Sequence, residues 1–187
     1  MSAASGAVGA VAGQLAKSHG ARVIGIAGGA DKCRYAKDEL GFDAALDHRS
    51  PDLGAALDQA CPKGIDVYFE NVGGEVQHAV FPRLNDFGRM IMCGMISEYN
   101  DKTPRPGPNL MSAVRKRLHI QGFIVSDQWQ RYGEFRAIAA PLVKSGQLRY
   151  REDIVEGLDH APEAFIGLLQ GKNFGKLLIH LSPDPTR

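Results

Sequence analysis

Three groups of residues have the types and spacing for chemistry. The first is Ala4-x-Gly6-x-x-Gly9, inside the run Ala3-Ala4-Ser5-Gly6-Ala7-Val8-Gly9-Ala10. This is the dinucleotide fingerprint with alanine in place of its first glycine, and its small residues let an anion approach free backbone N–H groups at a helix start. Alanine and glycine also pack helices closely on sheets, so the turn alone serves phosphate binding and plain packing equally well. The second group is Lys32, with Arg34 close by. About 20 residues beyond such a turn an NAD-binding chain places an acid on the ribose, but here Gly28 and Gly29 stand in that position. A lysine beyond them suits a 2′-phosphate better than a hydroxyl; the plainer account is a solvated lysine in the first turn of a helix, against the dipole. The third is Tyr99, in Cys93-Gly94-Met95-Ile96-Ser97-Glu98-Tyr99-Asn100, whose hydroxyl could donate to a substrate oxygen or merely cover a core edge. Asn71 in Glu70-Asn71-Val72-Gly73-Gly74 has two readings, a partner for ribose or nicotinamide and a residue of a tight turn. His48 reads as an adenine or phosphate contact or as ordinary surface. Phe123-Ile124-Val125 reads as backbone for a carboxamide or as core strand.

These groups need elements to position them. Val8, Val11, Ala12 and Leu15 fall at i, i+3, i+4 and i+7, so the glycines open a helix that Gly20 closes. A strand is expected over 22–27, a helix over 31–40 stopped by Gly41, a strand over 44–46, a helix over 53–61 and a strand over 65–70. A helix over 75–84 and a strand over 89–92 opened by Gly88 follow, then a polar, proline-rich loop over 97–109. Beyond it we expect a helix over 110–116, a strand over 118–125 and a helix over 129–145 that Pro141 bends or shortens. Residues 150–155, 161–170 and 176–181 read as strand, helix and strand. This alternation predicts an α/β fold with a doubly wound parallel sheet of the Rossmann type, its ligands at the C-terminal ends of the strands. Only Met1, Ser2 and Ala3 precede the fingerprint, so the first strand is expected to be largely missing. Residues 1–149 form the expected NADP-binding domain and residues 150–187 a C-terminal β-α-β tail.

Composition limits the partners. The chain has 187 residues with 22 basic against 21 acidic, a net charge of +1, so nothing points to nucleic acid and a small-molecule partner is expected. Cys33, Cys61 and Cys93 are widely separated and the six histidines scattered, which predicts no metal site and a reducing cytoplasm. No run of about 18 apolar residues appears, so no membrane span is expected.

The ordered motifs Ala-Ala-Ser-Gly-Ala-Val-Gly, Gly-Gly-Ala-Asp-Lys, Gly-Phe-Asp, Glu-Asn-Val-Gly-Gly, Cys-Gly-Met-Ile-Ser-Glu-Tyr-Asn, Gln-Gly-Phe-Ile-Val and Gly-Lys-Asn-Phe-Gly-Lys resemble the zinc-independent medium-chain dehydrogenase/reductase superfamily. The nearest branch looks like the prostaglandin, alkenal double-bond and bacterial curcumin reductases. That resemblance implies NADP(H) as cofactor. Gly6, Ala7, Val8 and Gly9 would hold the pyrophosphate and Lys32 the 2′-phosphate, with Asn71 at the ribose side. Cys93, Gly94, Met95, Ile96, Ser97 and Tyr99, together with Phe123, Ile124 and Val125, would surround the nicotinamide, and Asn173 would reach in from the C-terminal segment. His48 stands where many relatives have tyrosine. The implied reaction reduces an α,β-unsaturated ketone or aldehyde: hydride moves to the β-carbon, Tyr99 hydrogen-bonds the carbonyl oxygen or supplies a proton, and the α-carbon is protonated. Quinone reduction, a non-catalytic nucleotide-binding module and a methyltransferase-like domain are the alternatives; the last would want an acid at Gly28-Gly29. Relatives carry a substrate domain ahead of the fingerprint, so residues 150–181 are expected to expose apolar surface, including Ile154, Phe165, Leu168 and Leu169. The edge strand at 118–125 is the expected homodimer seam.

Overall fold

The structure is a computed structural model that describes residues 1–183; residues 184–187 of the expected C-terminal segment lie outside the described residues. Helix α1 (Ala7–Ser18) starts where the spacing predicts, with Gly6 as its N-cap, and Gly20 adopts φ +85° just past its end. Strand β1 (Ile24–Ala27) pairs in parallel with β2 (Ala44–Asp47), Ile24 opposite Ala44. Between them α2 (Ala30–Arg34) runs on into a wider, π-type turn over Tyr35–Glu39. Helix α3 (Leu53–Ala60) is started by Asp52, whose carboxylate accepts the Ala55 N–H at 2.8 Å. Strands β3 (Ile65–Glu70), β4 (Leu84–Met92) and β5 (His119–Gly122) form a parallel set in that order, with α4 (Gly74–Val80) and α5 (Met111–Lys116) in the connections.

Residues 1–4 join the two sets of strands. The Met1 ammonium donates to Ile24 O at 3.0 Å, Ile26 N to Met1 O at 2.9 Å and Ala4 N to Ile26 O at 3.0 Å. On the other side Ser2 N donates to Phe69 O at 3.1 Å. Residues 1–4 therefore lie between β1 and β3 where a first strand is expected, giving the order β2-β1-(1–4)-β3-β4-β5. That is the doubly wound order with its switch point at the fingerprint. Below the turn, the buried Glu70 carboxylate accepts from Ser2 Oγ (2.8 Å), Tyr68 OH (2.6 Å) and Val72 N (2.7 Å). Three donors offset the cost of burying a charge. Burial and the Glu70 charge beside it push the Tyr68 phenol far above its ordinary pKa.

One core, with Ile26, Leu57, Tyr68, Val80, Phe81, Leu84 and Met90, fills the β3–β4 side; a second, with Ala10, Tyr35, Ala36, Leu40 and Phe42, lies under α1 and α2. Several boundaries differ from expectation. The helix expected to reach residue 84 ends at Val80, because Pro82 tightens the chain into a 3-10 turn over Phe81–Arg83. Strand β4 begins at Leu84 rather than 89, absorbing a register shift opposite Ile65/Val67 with Phe87 at φ +61°. The strand expected over 118–125 stops at Gly122, and Val125–Arg131 coils into 3-10 turns before α6 (Tyr132–Lys144), which carries Pro141 inside it.

The C-terminal β-α-β unit is present as expected: β6 (Glu152–Glu156), α7 (Ala161–Leu169) and β7 (Lys176–His180), with the two strands paired in parallel and separate from the main sheet. Gln14 of α1 ties it down. Its amide donates to Ala10 O at 2.9 Å and Arg149 O at 2.7 Å, and its carbonyl accepts Arg149 N at 2.8 Å. Ile154 and Phe165 are exposed, as expected, but Leu168 and Leu169 are half-buried, because the last turn of α7 faces the cavity described below. Among the described residues no helix is long and apolar enough to cross a membrane.

Candidate functional site

A cavity of about 580 Å³ opens at the C-terminal ends of β1, β3 and β4, between the fingerprint and the C-terminal unit. Its floor is the start of α1. Gly6 is extended (φ −81°, ψ 172°), no side chain caps the helix and its first turn holds no acid, so the early N–H groups and the positive end of the dipole face the cavity uncompensated. The fit against the preceding turn admits no side chain: a β-carbon at Gly9 would lie 2.3 Å from Ala3 O.

One end of the cavity is basic. Lys32 is half-buried, and its Nζ donates to Gly171 O at 2.7 Å. Burial and then the nearby Arg49 lower its pKa, against a smaller opposite pull from Asp153. His48 is lowered by the same two causes, burial first. Asp47, at the end of β2, accepts Gly29 N and Arg49 N, each at 2.9 Å, and these bonds fix the two adjoining turns. They also hold its carboxyl below the usual carboxylate range.

The other end carries a hydroxyl. The segment before Tyr99 is stitched to the turn after β3: Ile96 N donates to Asn71 O (3.1 Å), Ser97 N and Oγ to Val72 O (3.0 and 2.7 Å), and Gly74 N to Glu98 Oε1 (2.9 Å). This grip leaves Tyr99 62% exposed, with its hydroxyl 2.7 Å from where a β-carbon of Gly94 would stand. Asn71 is oriented by Ser2, whose carbonyl accepts its Nδ2 at 3.0 Å and whose Oγ accepts its N–H at 2.7 Å. Burial pushes the Cys93 thiol pKa up.

The expected site residues Gly6, Ala7, Val8, Gly9, Lys32, His48, Asn71, Cys93, Gly94, Ile96, Ser97, Tyr99 and Asn173 all line this one cavity. Met95, Phe123, Ile124 and Val125 are outside its wall. Met95 packs against Gly73, Phe123 sets its ring edge-on to Phe69 at 6.2 Å, and Ile124 and Val125 are exposed where the chain leaves β5. Sequence reasoning missed Arg49 and the strip Leu168–Gly171, which also line the cavity. Arg49 had a signal, since it adjoins His48 directly after a strand. The strip had none, because the folding-back of residues 150–181 leaves no local mark. Among the described residues no group of three or more His, Cys, Asp or Glu side chains is placed to hold a metal ion.

A family model described as zinc-binding dehydrogenase matches residues 7–145. The NADPH-dependent curcumin reductase of Escherichia coli K12 is 50% identical over 190 residues, which cover 98% of this chain and 55% of that protein. The NADP(+)-dependent 2-alkenal reductase of Nicotiana tabacum is 42% identical over 185 residues, covering 98% of this chain and 54% of its own length. Among solved structures, CurA of Vibrio vulnificus in complex with NADPH superposes with a TM-score of 0.92 at 49% identity, over 98% of this chain and 56% of CurA. The quinone oxidoreductase of E. coli complexed with NADPH superposes at 0.80 with 24% identity, over 95% of this chain and 55% of that one, a likeness of fold alone. The chain spans about half the length of the curated relatives it matches.

Proposed function

Because this chain belongs to the zinc-binding dehydrogenase family and falls in its reductase branch, we propose that it is the NADPH-binding portion of a reductase for the carbon–carbon double bond of α,β-unsaturated ketones or aldehydes. The observation that carries this reading is the shape of one cavity, which has uncapped helix donors on its floor, a lysine at one end and a tyrosine hydroxyl at the other. Gly6, Ala7, Val8 and Gly9 hold the pyrophosphate through backbone N–H groups, Lys32 meets the 2′-phosphate, and Asn71 and Asn173 border the ribose and nicotinamide half. NADPH, when bound, supplies hydride. The chain's own part is to hold the reacting carbons in line and to place the Tyr99 hydroxyl as a hydrogen-bond donor where negative charge develops on the carbonyl oxygen.

The exposed apolar residues of the C-terminal unit, Ile154, Phe165 and Ile166, form the face against which a substrate domain packs. The outer edge of β5, exposed along its length, is the seam of a homodimer. The three free cysteines suit a reducing cytoplasm.

Titration of the chain with NADPH and with NADH, read by nucleotide fluorescence, tests the reading. NADPH is expected to bind at least about tenfold more tightly, and Lys32→Ala to weaken NADPH far more than NADH, as expected when a charge-assisted hydrogen bond is lost. Equal loss for both nucleotides would remove Lys32 from the phosphate site.

A further inference from the structure

Among the described residues, the charged end of one cation in the cavity wall makes no hydrogen bond and no ion pair. Arg49 follows His48 directly after β2, and its guanidinium lies across the Gly28-Gly29 bend. A β-carbon at Gly28 would stand 3.3 Å from its Nε and Nη2, and one at Gly29 would stand 3.4 Å from its Nη1. Among the described residues the guanidinium donates no hydrogen bond and makes no ion pair, whereas the backbone N–H of the same residue is held by Asp47 at 2.9 Å. The base of the side chain is therefore fixed, while its head feels the Asp47 charge only at a distance, without a hydrogen bond. Asp47, the neighbouring acid, is already engaged by two backbone N–H groups. Lys32 spends one donor on the Gly171 carbonyl. Lys32, His48 and Arg49 thus converge on one end of the cavity, and among the described residues no carboxylate accepts a hydrogen bond from their side chains. Their mutual influence shows in the lowered pKa of Lys32 and of His48, to which Arg49 contributes in both cases after burial. A dianion placed among them would relieve this repulsion and meet the planar fork of donors that a guanidinium presents to phosphate.

We infer that Arg49 is a specificity-determining residue that reads the 2′-phosphate of the cofactor together with Lys32, an inference that rests on the NADPH reading above. The two cations divide the work. Arg49 offers its whole fork to the phosphate, and Lys32 bridges the phosphate to the Gly171 carbonyl, linking that end of the cofactor to the C-terminal unit. The side chains absent at Gly28 and Gly29 are what leave the guanidinium room to lie there.

The test measures Kd for NADPH, NADH and adenosine 2′,5′-bisphosphate on the chain itself, for the unaltered protein, Arg49→Ala and Arg49→Lys, at low and at moderate salt. Arg49→Ala is expected to weaken NADPH and the bisphosphate by about tenfold to a hundredfold, with NADH unchanged within about twofold. Arg49→Lys keeps the charge but loses the fork, so its values should lie between the two. The fall of log Kd affinity with log salt should be shallower in Arg49→Ala for the phosphate-bearing ligands only. Loss of equal size for all three ligands, or for none, overturns the role of Arg49. If the unaltered chain does not prefer NADPH to NADH, the NADPH reading fails and Arg49 falls with it; a preference that survives Arg49→Ala removes Arg49 alone. A melting curve for each variant separates lost binding from lost fold.

Discussion

The two halves of the chain bury their side chains to different degrees. Through β4, Leu57, Tyr68, Phe81, Leu84 and Met90 are all nearly inaccessible. From β5 onward, among the described residues, only Ala139, Leu148 and Gly175 are buried. Helix α6 has the apolar spacing of a core helix, yet Phe135 and Ile138 lie exposed on it, and the Trp129 and Tyr132 rings stack on each other 5.3 Å apart at the surface. The first half builds its own interior around the fingerprint turn. The second half offers apolar faces that fit the covering surfaces proposed above.

The sharpest way to break this contrast is to delete core-sized side chains from each half. Leu57→Ala, at a side chain 1% exposed, should cost about 2–5 kcal/mol of unfolding free energy. Phe165→Ala, at one 57% exposed, should cost less than about 0.5 kcal/mol in the isolated chain. Urea unfolding monitored by circular dichroism measures both, and similar costs would mean that the second half has an interior of its own.

The junction between the halves gives the next largest effect. Gln14 is buried and makes three hydrogen bonds, two of them to the backbone of Arg149. Gln14→Ala should cost about 1–3 kcal/mol through the unpaired groups it leaves. Its more telling result is local: amide exchange should speed up in β6 and β7 while β3 and β4 keep their protection. Uniform acceleration across both sets of strands would show that the C-terminal unit is not separately tethered.

What could be read from the sequence follows the same division. Strand β3, helix α3 and the fingerprint helix were legible to within a residue or two, because apolar period and glycine stops agree there, while the Asp52 cap of α3 went unread. The loss of pattern begins where distant contacts decide. Residues 1–3 carry no local strand pattern, and only their bonds to Ile24, Ile26 and Phe69, far along the chain, place them between β1 and β3. The stop of β5 at Gly122 left Phe123, Ile124 and Val125 outside the cavity wall, although their composition is that of a buried strand. The missing acid at Gly28-Gly29 drew attention to Lys32, which lines the cavity. The bond of Lys32 to Gly171 was not legible, since that contact spans most of the chain.

The smallest expected effect concerns acid. Among the described residues, three carboxyls held below the usual range, Asp43, Asp47 and Asp58, all lie in the first half, each drawn down chiefly by the hydrogen bonds it accepts. Asp43 is the one tied to the helix that carries the fingerprint: it accepts from Lys17 Nζ at 2.8 Å and from Val23 N at 2.7 Å. A carboxyl whose folded-state pKa is depressed contributes stability that is fully present above its unfolded value of about 3.9 and is lost as pH falls through the lower folded value. Because Asp43 is well exposed, the contribution is screened to about 0.5–1 kcal/mol. Asp43→Asn should therefore lower the urea midpoint at pH 6 by a corresponding amount, and the gap between variant and unaltered chain should close as pH falls below about 4. A gap that stays constant from pH 6 to pH 3 would assign the loss to the geometry of the Val23 bond rather than to the charge. The acid sensitivity of the first half would then have to be sought at Asp47, where the same titration acts directly on the Gly29 turn beside the cavity.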